Sequence, residues 1–126
     1  MNHFFVSHDM THVIAGLSTT AAGEVALSAF QMGMNDNSVN AGALLASLIA
    51  HEAGFGTPGT FALESKTLAD PKAADLLGAE LARGSACSDD FSLIDHFALA
   101  DRPLSEVREQ FGVRPPEDPF DGHHFW

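Results

Sequence analysis

Apolar positions recur at spacings of three and four along most of this chain, and no window shows sustained period-two alternation. Residues 3–15 read as a first helix, with Gly16 placed where a left-handed C-terminal stop belongs. The hydroxyls of "STT" at 18–20 offer N-caps for a second helix running to about Met34. Its apolar residues Val25, Ala26, Leu27, Ala29, Phe30 and Met32 go nearly all the way round, which predicts a central, buried element. "NDN" at 35–37 breaks the chain, and the apolar run "VNAGALLASLIA" at 39–50 predicts a third helix ending near Gly54. "GFGTPGT" at 54–60 is a turn, with Thr57 and Pro58 able to start a short helix. Asp70–Pro71 then opens a helix that stops at Gly84 and lines Ala73, Leu77 and Leu81 on one face. Residues 85–101 read as a loop with a helical turn. Pro103 starts the last helix, whose face is Leu104, Val107 and Phe111 and whose stop is Gly112. Three prolines in "RPPEDPFDGHHFW" predict an extended tail over 116–126. The expectation is all-α: one compact helical domain over 1–126 with about five helices.

Length and composition agree, since 126 residues with 45% hydrophobic content can bury a core without disulfides. The lone Cys87 has no partner for a bridge, which favours a reducing compartment and a small buried apolar role over a nucleophilic one. Seventeen Asp and Glu stand against six Lys and Arg, a formal charge of −11. The basic residues are scattered, so neither nucleic acid nor anionic lipid finds an electrostatic footprint. No stretch reaches the roughly 18 apolar residues a spanning helix needs. The start "MNHFFVSHD" carries no cationic leader. The expected location is the cytoplasm, with at most peripheral contact with the inner membrane.

Candidate chemistry concentrates near the start, in "HDMTHVIAGLSTTAAGE". Residues four apart on a helix lie one above the other, about 5–6 Å between Cβ atoms, so His8 and His12 can chelate one ion. Asp9 sits three residues before His12, at the edge of that face. A tight turn after Gly16 folds the next helix back and brings Glu24 level with the histidines. Zinc takes imidazole nitrogen and carboxylate oxygen at about 2.0–2.2 Å, three protein ligands plus water in a catalytic site. The pattern is close to the HExxH metalloprotease signature, with a shorter aspartate in place of the glutamate base. Asp9 thereby reads as a ligand or as a residue orienting one. Two histidines and a carboxylate also suit Fe(II), and zinc and iron both stay open. So does the plainer reading, a solvated helix face beside an ordinary glutamate.

The same residues resemble the signature HDxxH, eleven residues, E of the Coq-four family of coenzyme Q (ubiquinone) biosynthesis proteins. His8, Asp9, His12 and Glu24 fall on its four positions. "RPLSEVREQFGV" at 102–113 is similar to that family's closing helix. Residues 8–34 and about 98–115 carry the likeness; the middle agrees only in helical, apolar character. Only residues 1–7 precede the motif, where members typically carry a helical region. The resemblance implies an all-α fold and a divalent ion, zinc favoured and iron the alternative, held by those four residues. It further implies action on a polyprenylated aromatic ring precursor, removal of the C1 carboxylate coupled to hydroxylation, within an assembly of other quinone-biosynthesis enzymes. The alternative is a non-enzymatic module that binds an isoprenoid lipid or scaffolds that assembly around a structural metal. A generic metal hydrolase is a third reading. Homo-oligomerisation stays open.

Other residues carry weaker signals. His51 and Glu52 in "AHEAGFG" can complete a second metal position, although a last-turn histidine more often meets the helix's own carbonyls. The Gly/Ala-rich third helix suits an isoprenoid groove or, more simply, a tight core. Phe4, Phe5, Phe30, Phe55, Phe61 and Phe97 are expected in the core. Asp95 and His96 read as a surface pair, and "DGHHFW" as a frayed end.

Overall fold

A computed structural model describes residues 2–19, 21–34, 71–92 and 94–116, together with positions 38, 41, 42, 45 and 46. Four α-helices and one 3-10 turn account for most of them: α1 (Asn2–Ala15), α2 (Ala21–Met34), α3 (Pro71–Ser85), η1 (His96–Leu99) and α4 (Leu104–Phe111). No strand occurs among the described residues, so the chain is all-α, with four helices rather than five in the described part. Positions 41, 42, 45 and 46 of the expected third helix are helical. The rest of that helix, the 54–60 turn, the short helix at Thr57 and Pro58, His51, Glu52, Phe55, Phe61 and the tail beyond Pro116 lie outside the described residues, as do the side chains of Phe4 and Phe5.

The core forms where α1, α2 and α4 meet the irregular segment after α3. Ile14, Ala15, Leu27, Phe30, Phe91, Val107, Phe111 and Val113 are buried together. Phe91 links the aromatic centre, its ring centroid 6.1 Å from Phe30 and 5.3 Å from Phe111. Tilted pairs at that range add to what burial of each ring contributes. The expected burial of α2 is observed, with Val25, Ala26, Leu27, Ala29 and Phe30 each at 1% exposure or less. Phe97 departs from its expected place in the core. It is 66% exposed on η1.

Helix α3 packs mainly on α2, with the two backbones in close approach at Gly33 and Gly84. A Cβ on Gly33 would overlap the Leu81 carbonyl, and one on Gly84 would overlap the Phe30 carbonyl. Glycine at both positions therefore allows the two helices to cross at backbone contact. Gly84 was expected as a helix stop. It lies buried inside α3, which runs on to Ser85. The crossing buries Glu80 and Gly84 and leaves Leu81 37% exposed. On α4, Val107 and Phe111 are buried as expected, but Leu104 in the first turn is 37% exposed.

The end of α1 is tied down most completely. An α-helix leaves its last four carbonyls without intrahelical donors. Here His12 O accepts from Gly16 N at 2.8 Å and Leu17 N at 3.0 Å, the left-handed stop expected at Gly16, whose φ is 74°. Val13 O and Ile14 O accept from Arg108 Nη2 and Nε, at 3.1 and 2.8 Å. Ala15 O accepts from Arg83 Nη1 at 2.7 Å. All four carbonyls are paired, the first by the bend itself and the other three by arginines of α3 and α4. Arg83 also pairs with buried Glu80 at 2.6 Å and lies 4.7 Å over the Phe30 ring. Burial pushes the Glu80 carboxyl above its ordinary range while Arg83 pulls it back.

Candidate metal centre

The site is built on α1 and the first turn of α2. Ser7, Thr11, His12, Ile14 and Ala15 form the buried side of α1, and Thr11 Oγ1 donates to Ser7 O at 2.7 Å, which satisfies its hydroxyl inside. His12 thus sits at the inner edge of the helix at 3% exposure, not on a solvated face. His8, one turn earlier, is half-buried, and the two rings stack edge-on with centroids 4.8 Å apart. The bend at Gly16 returns the chain, and Gly23 lets Ser18 lie directly against α2, because a Cβ there would overlap the Ser18 carbonyl. Glu24 follows immediately, facing both histidines.

The three side chains converge. His8 Nε2 lies 3.3 Å from Glu24 Oε2, and His12 Nε2 lies 3.2 Å from Glu24 Oε1. One ligand atom from each of His8, His12 and Glu24 falls within 4.8 Å of the others, a group able to hold a metal ion. A tetrahedral shell with bonds of about 2.0–2.1 Å sets its ligand atoms about 3.3 Å apart, close to both histidine–carboxylate separations. Both ring nitrogens of His12 are buried without a hydrogen bond of acceptable direction, even though Nε2 is near the carboxylate. Close approach off the N–H direction is the arrangement two ligand atoms adopt around a shared ion, so the donor set fits the group it would hold. Side-chain exposures of 32% for His8 and 26% for Glu24 leave that flank reachable, while His12 closes the other.

Asp9, the fourth signature residue, stands apart from this group. Its carboxylate is 77% exposed and lies 3.6 Å from His8 Nδ1, on the opposite side of that ring from Glu24. At that distance it acts on His8 through charge rather than a hydrogen bond. With an ion bound in place of the Nε2 proton, it would favour the remaining proton on Nδ1.

Electrostatics couple the three groups. The His12 and His8 contacts hold the Glu24 carboxyl down, from 4.5 to about 2. The Glu24 contact, against the opposing effect of burial, raises His8 above 6.5. Without an ion, the Glu24 contribution to stability is present above about 4.5 and is lost as pH falls through about 2. The His8 contribution is complete below 6.5 and is lost as pH rises through its raised value. Metal uptake runs the other way, because the ion displaces the proton on His8. Metal affinity is therefore expected to strengthen as pH rises from 6 toward the raised His8 pKa, by up to about tenfold per unit for each proton displaced, and to level off above it. Chelator competition at fixed ionic strength measures it; an affinity flat across that range contradicts histidine ligation.

The remaining sequence candidates separate clearly. His96 is not part of a surface pair: it is 3% exposed, and burial lowers its pKa. The Asp95 carboxylate instead accepts from Phe97 N at 3.1 Å and caps η1. Cys87 is half-buried, donates to Arg83 O at 3.7 Å, and has its thiol pushed up by burial, which suits the inert role expected of it. Arg108 lies within the similar segment at 102–113, but its role at the end of α1, like that of Arg83, gave no periodic signal, because it spans 68 to 95 residues of chain.

Compared with known proteins, the chain matches no family model, no curated protein and no solved structure. Among the described residues no helix is long and apolar enough to cross a membrane.

Proposed function

We propose that this protein is a metal-dependent enzyme of ubiquinone biosynthesis, with a divalent ion, zinc favoured and iron the alternative, held by His8, His12 and Glu24. The observation that carries the metal reading is the convergence of three ligand atoms within 4.8 Å, on a flank that stays partly exposed. Three protein ligands with one accessible side is the pattern of a catalytic rather than a closed structural site. A divalent ion there supplies Lewis acidity toward a carboxylate or phenolic oxygen of an aromatic ring. Glu24 bridges the two helices and orients both imidazoles; Asp9 fixes the His8 tautomer; His12 excludes water from the inner side.

The substrate class rests on the resemblance of "HDMTHVIAGLSTTAAGE" to the Coq-four signature. A second feature supports it. The similar segment "RPLSEVREQFGV" contributes Arg108, which reaches back to the carbonyls of Val13 and Ile14 on the helix bearing the histidines. The two segments belong to one structural unit, as a shared origin of both would require. The proposed reaction is loss of the C1 carboxylate of a polyprenylated ring precursor as CO₂, a proton taking its place on the ring; the coupled hydroxylation requires O₂ as two-electron oxidant, used by the iron form of the site or by another enzyme of the route, since zinc is redox-inert.

Purified protein is expected to carry about one equivalent of zinc or iron, and cells expressing only the His12→Ala form should accumulate ring precursor that retains its carboxylate. An unchanged quinone profile removes the substrate assignment. The non-enzymatic alternative instead predicts retained prenyl-lipid binding and a lowered melting temperature after metal removal, with no precursor accumulating.

A further inference from the structure

Arg108 lies outside the ligand set, yet it holds the helix that carries two of the ligands. Its Nε donates to Ile14 O at 2.8 Å and its Nη2 to Val13 O at 3.1 Å, the two carbonyls that directly follow His12. The His12 carbonyl is taken by Gly16 N and Leu17 N, so the bend begins at the ligand itself. A Cβ on Gly16 would come within 3.1 Å of Arg108 Nη2 and of Pro116 Cδ, which places the guanidinium against the bend as well as the helix end. From that bend the chain passes Ser18, seated on Gly23, to Glu24.

We infer that Arg108 is a positioning residue of the metal centre: it fixes the last turn of α1 and the bend after it, and thereby holds His8 and His12 in register with Glu24. The inference rests on reading the site as a metal centre. A guanidinium on helix-end carbonyls ordinarily contributes stability alone. Here the end it holds is the hinge between the two ligand-bearing helices. Small rotations there change the 3.2 and 3.3 Å histidine–carboxylate separations without unfolding either helix. A planar fork meets both carbonyls at once, which a lysine ammonium cannot reproduce.

The test uses the full chain with Co²⁺ as probe, its visible absorption reporting ligand geometry and its titration reporting affinity. Arg108→Met is expected to bind Co²⁺ about 10- to 100-fold more weakly, the range typical of residues that orient ligands, with altered absorption. Arg108→Lys should recover part of the affinity. Val107→Ala, a buried neighbour on α4 whose apolar side chain has no donor for the α1 carbonyls, should lower the melting temperature and keep Co²⁺ affinity within about twofold and the wild-type spectrum. If Arg108→Met does not fold, Arg108→Lys carries the test: its Co²⁺ affinity should fall and its spectrum shift part of the way, and wild-type affinity and spectrum in that variant overturn the positioning role. Folded Arg108→Met with wild-type affinity and spectrum overturns the positioning role alone. So does a Val107→Ala loss as large as that of Arg108→Met. Wild-type protein that takes up no Co²⁺ overturns the metal centre and this role with it.

Discussion

Replacing Glu24 with Ala is expected to weaken zinc binding by at least about 100-fold, because it removes the side chain that, among the described residues, reaches both histidines. His12→Ala should do the same, since its buried imidazole closes the inner side of the group. Asp9→Asn should behave differently. Its carboxylate acts on His8 Nδ1 across 3.6 Å from an exposed position, so losing the charge should cost roughly tenfold. Equilibrium dialysis at pH 7.5, with circular dichroism to confirm helicity, separates the cases. An Asp9→Asn loss matching that of Glu24→Ala would make Asp9 a ligand and change the coordination from three protein groups to four. A Glu24→Ala protein that keeps wild-type affinity would dismantle the centre altogether.

That ranking was only partly visible in the chain itself. Histidines four apart and a glutamate beyond a glycine bend are local features, and local features survive into structure because helix periodicity and the left-handed residue decide them. The burial of His12 was not visible, since α1 carries Ser7 and Thr11 on its inner side and so lacks a clear apolar stripe. Nor was the distinction between Glu24 and Asp9, which depends on which ring nitrogen each carboxylate meets. Away from the site, Val107 and Phe111 of the expected α4 face and the encircling apolar character of α2 were readable, whereas Leu104 is exposed. The α2–α3 crossing was not: Gly33 and Gly84 each look like ordinary helix-weakening glycines until the opposing carbonyls of Leu81 and Phe30 are placed against them. Phe91, the centre of the aromatic cluster, lies in a segment without periodicity, so no spacing rule could nominate it.

The largest effect on stability is expected at Arg83. Its guanidinium holds Glu80 through Nε and Nη2, at 2.9 and 2.6 Å, and donates from Nη1 to Ala15 O and Arg114 O, each at 2.7 Å. Side-chain exposures of 11% and 5% place this pair out of water. Removing one partner of a buried ion pair leaves the other charge without compensation, at a cost of about 3–5 kcal/mol. Arg83→Met is expected to lose that amount in urea unfolding, a large share of the roughly 5–15 kcal/mol typical of a domain. The deficit should depend on pH with a definite sign. Burial already raises the folded Glu80 pKa above 4.5, and loss of Arg83 removes the opposing pull. A carboxyl whose folded pKa is raised binds its proton more readily when folded, so the deficit is greatest above that pKa and shrinks as pH falls toward 4.5. Adding Glu80→Gln to Arg83→Met should recover part of the loss at neutral pH, because a neutral amide replaces the stranded carboxylate. A double variant no more stable than Arg83→Met, with a deficit independent of pH, would move the whole effect to the Ala15 and Arg114 carbonyls. The end of α1 would then outweigh the ion pair as the reason the chain keeps an arginine at this position.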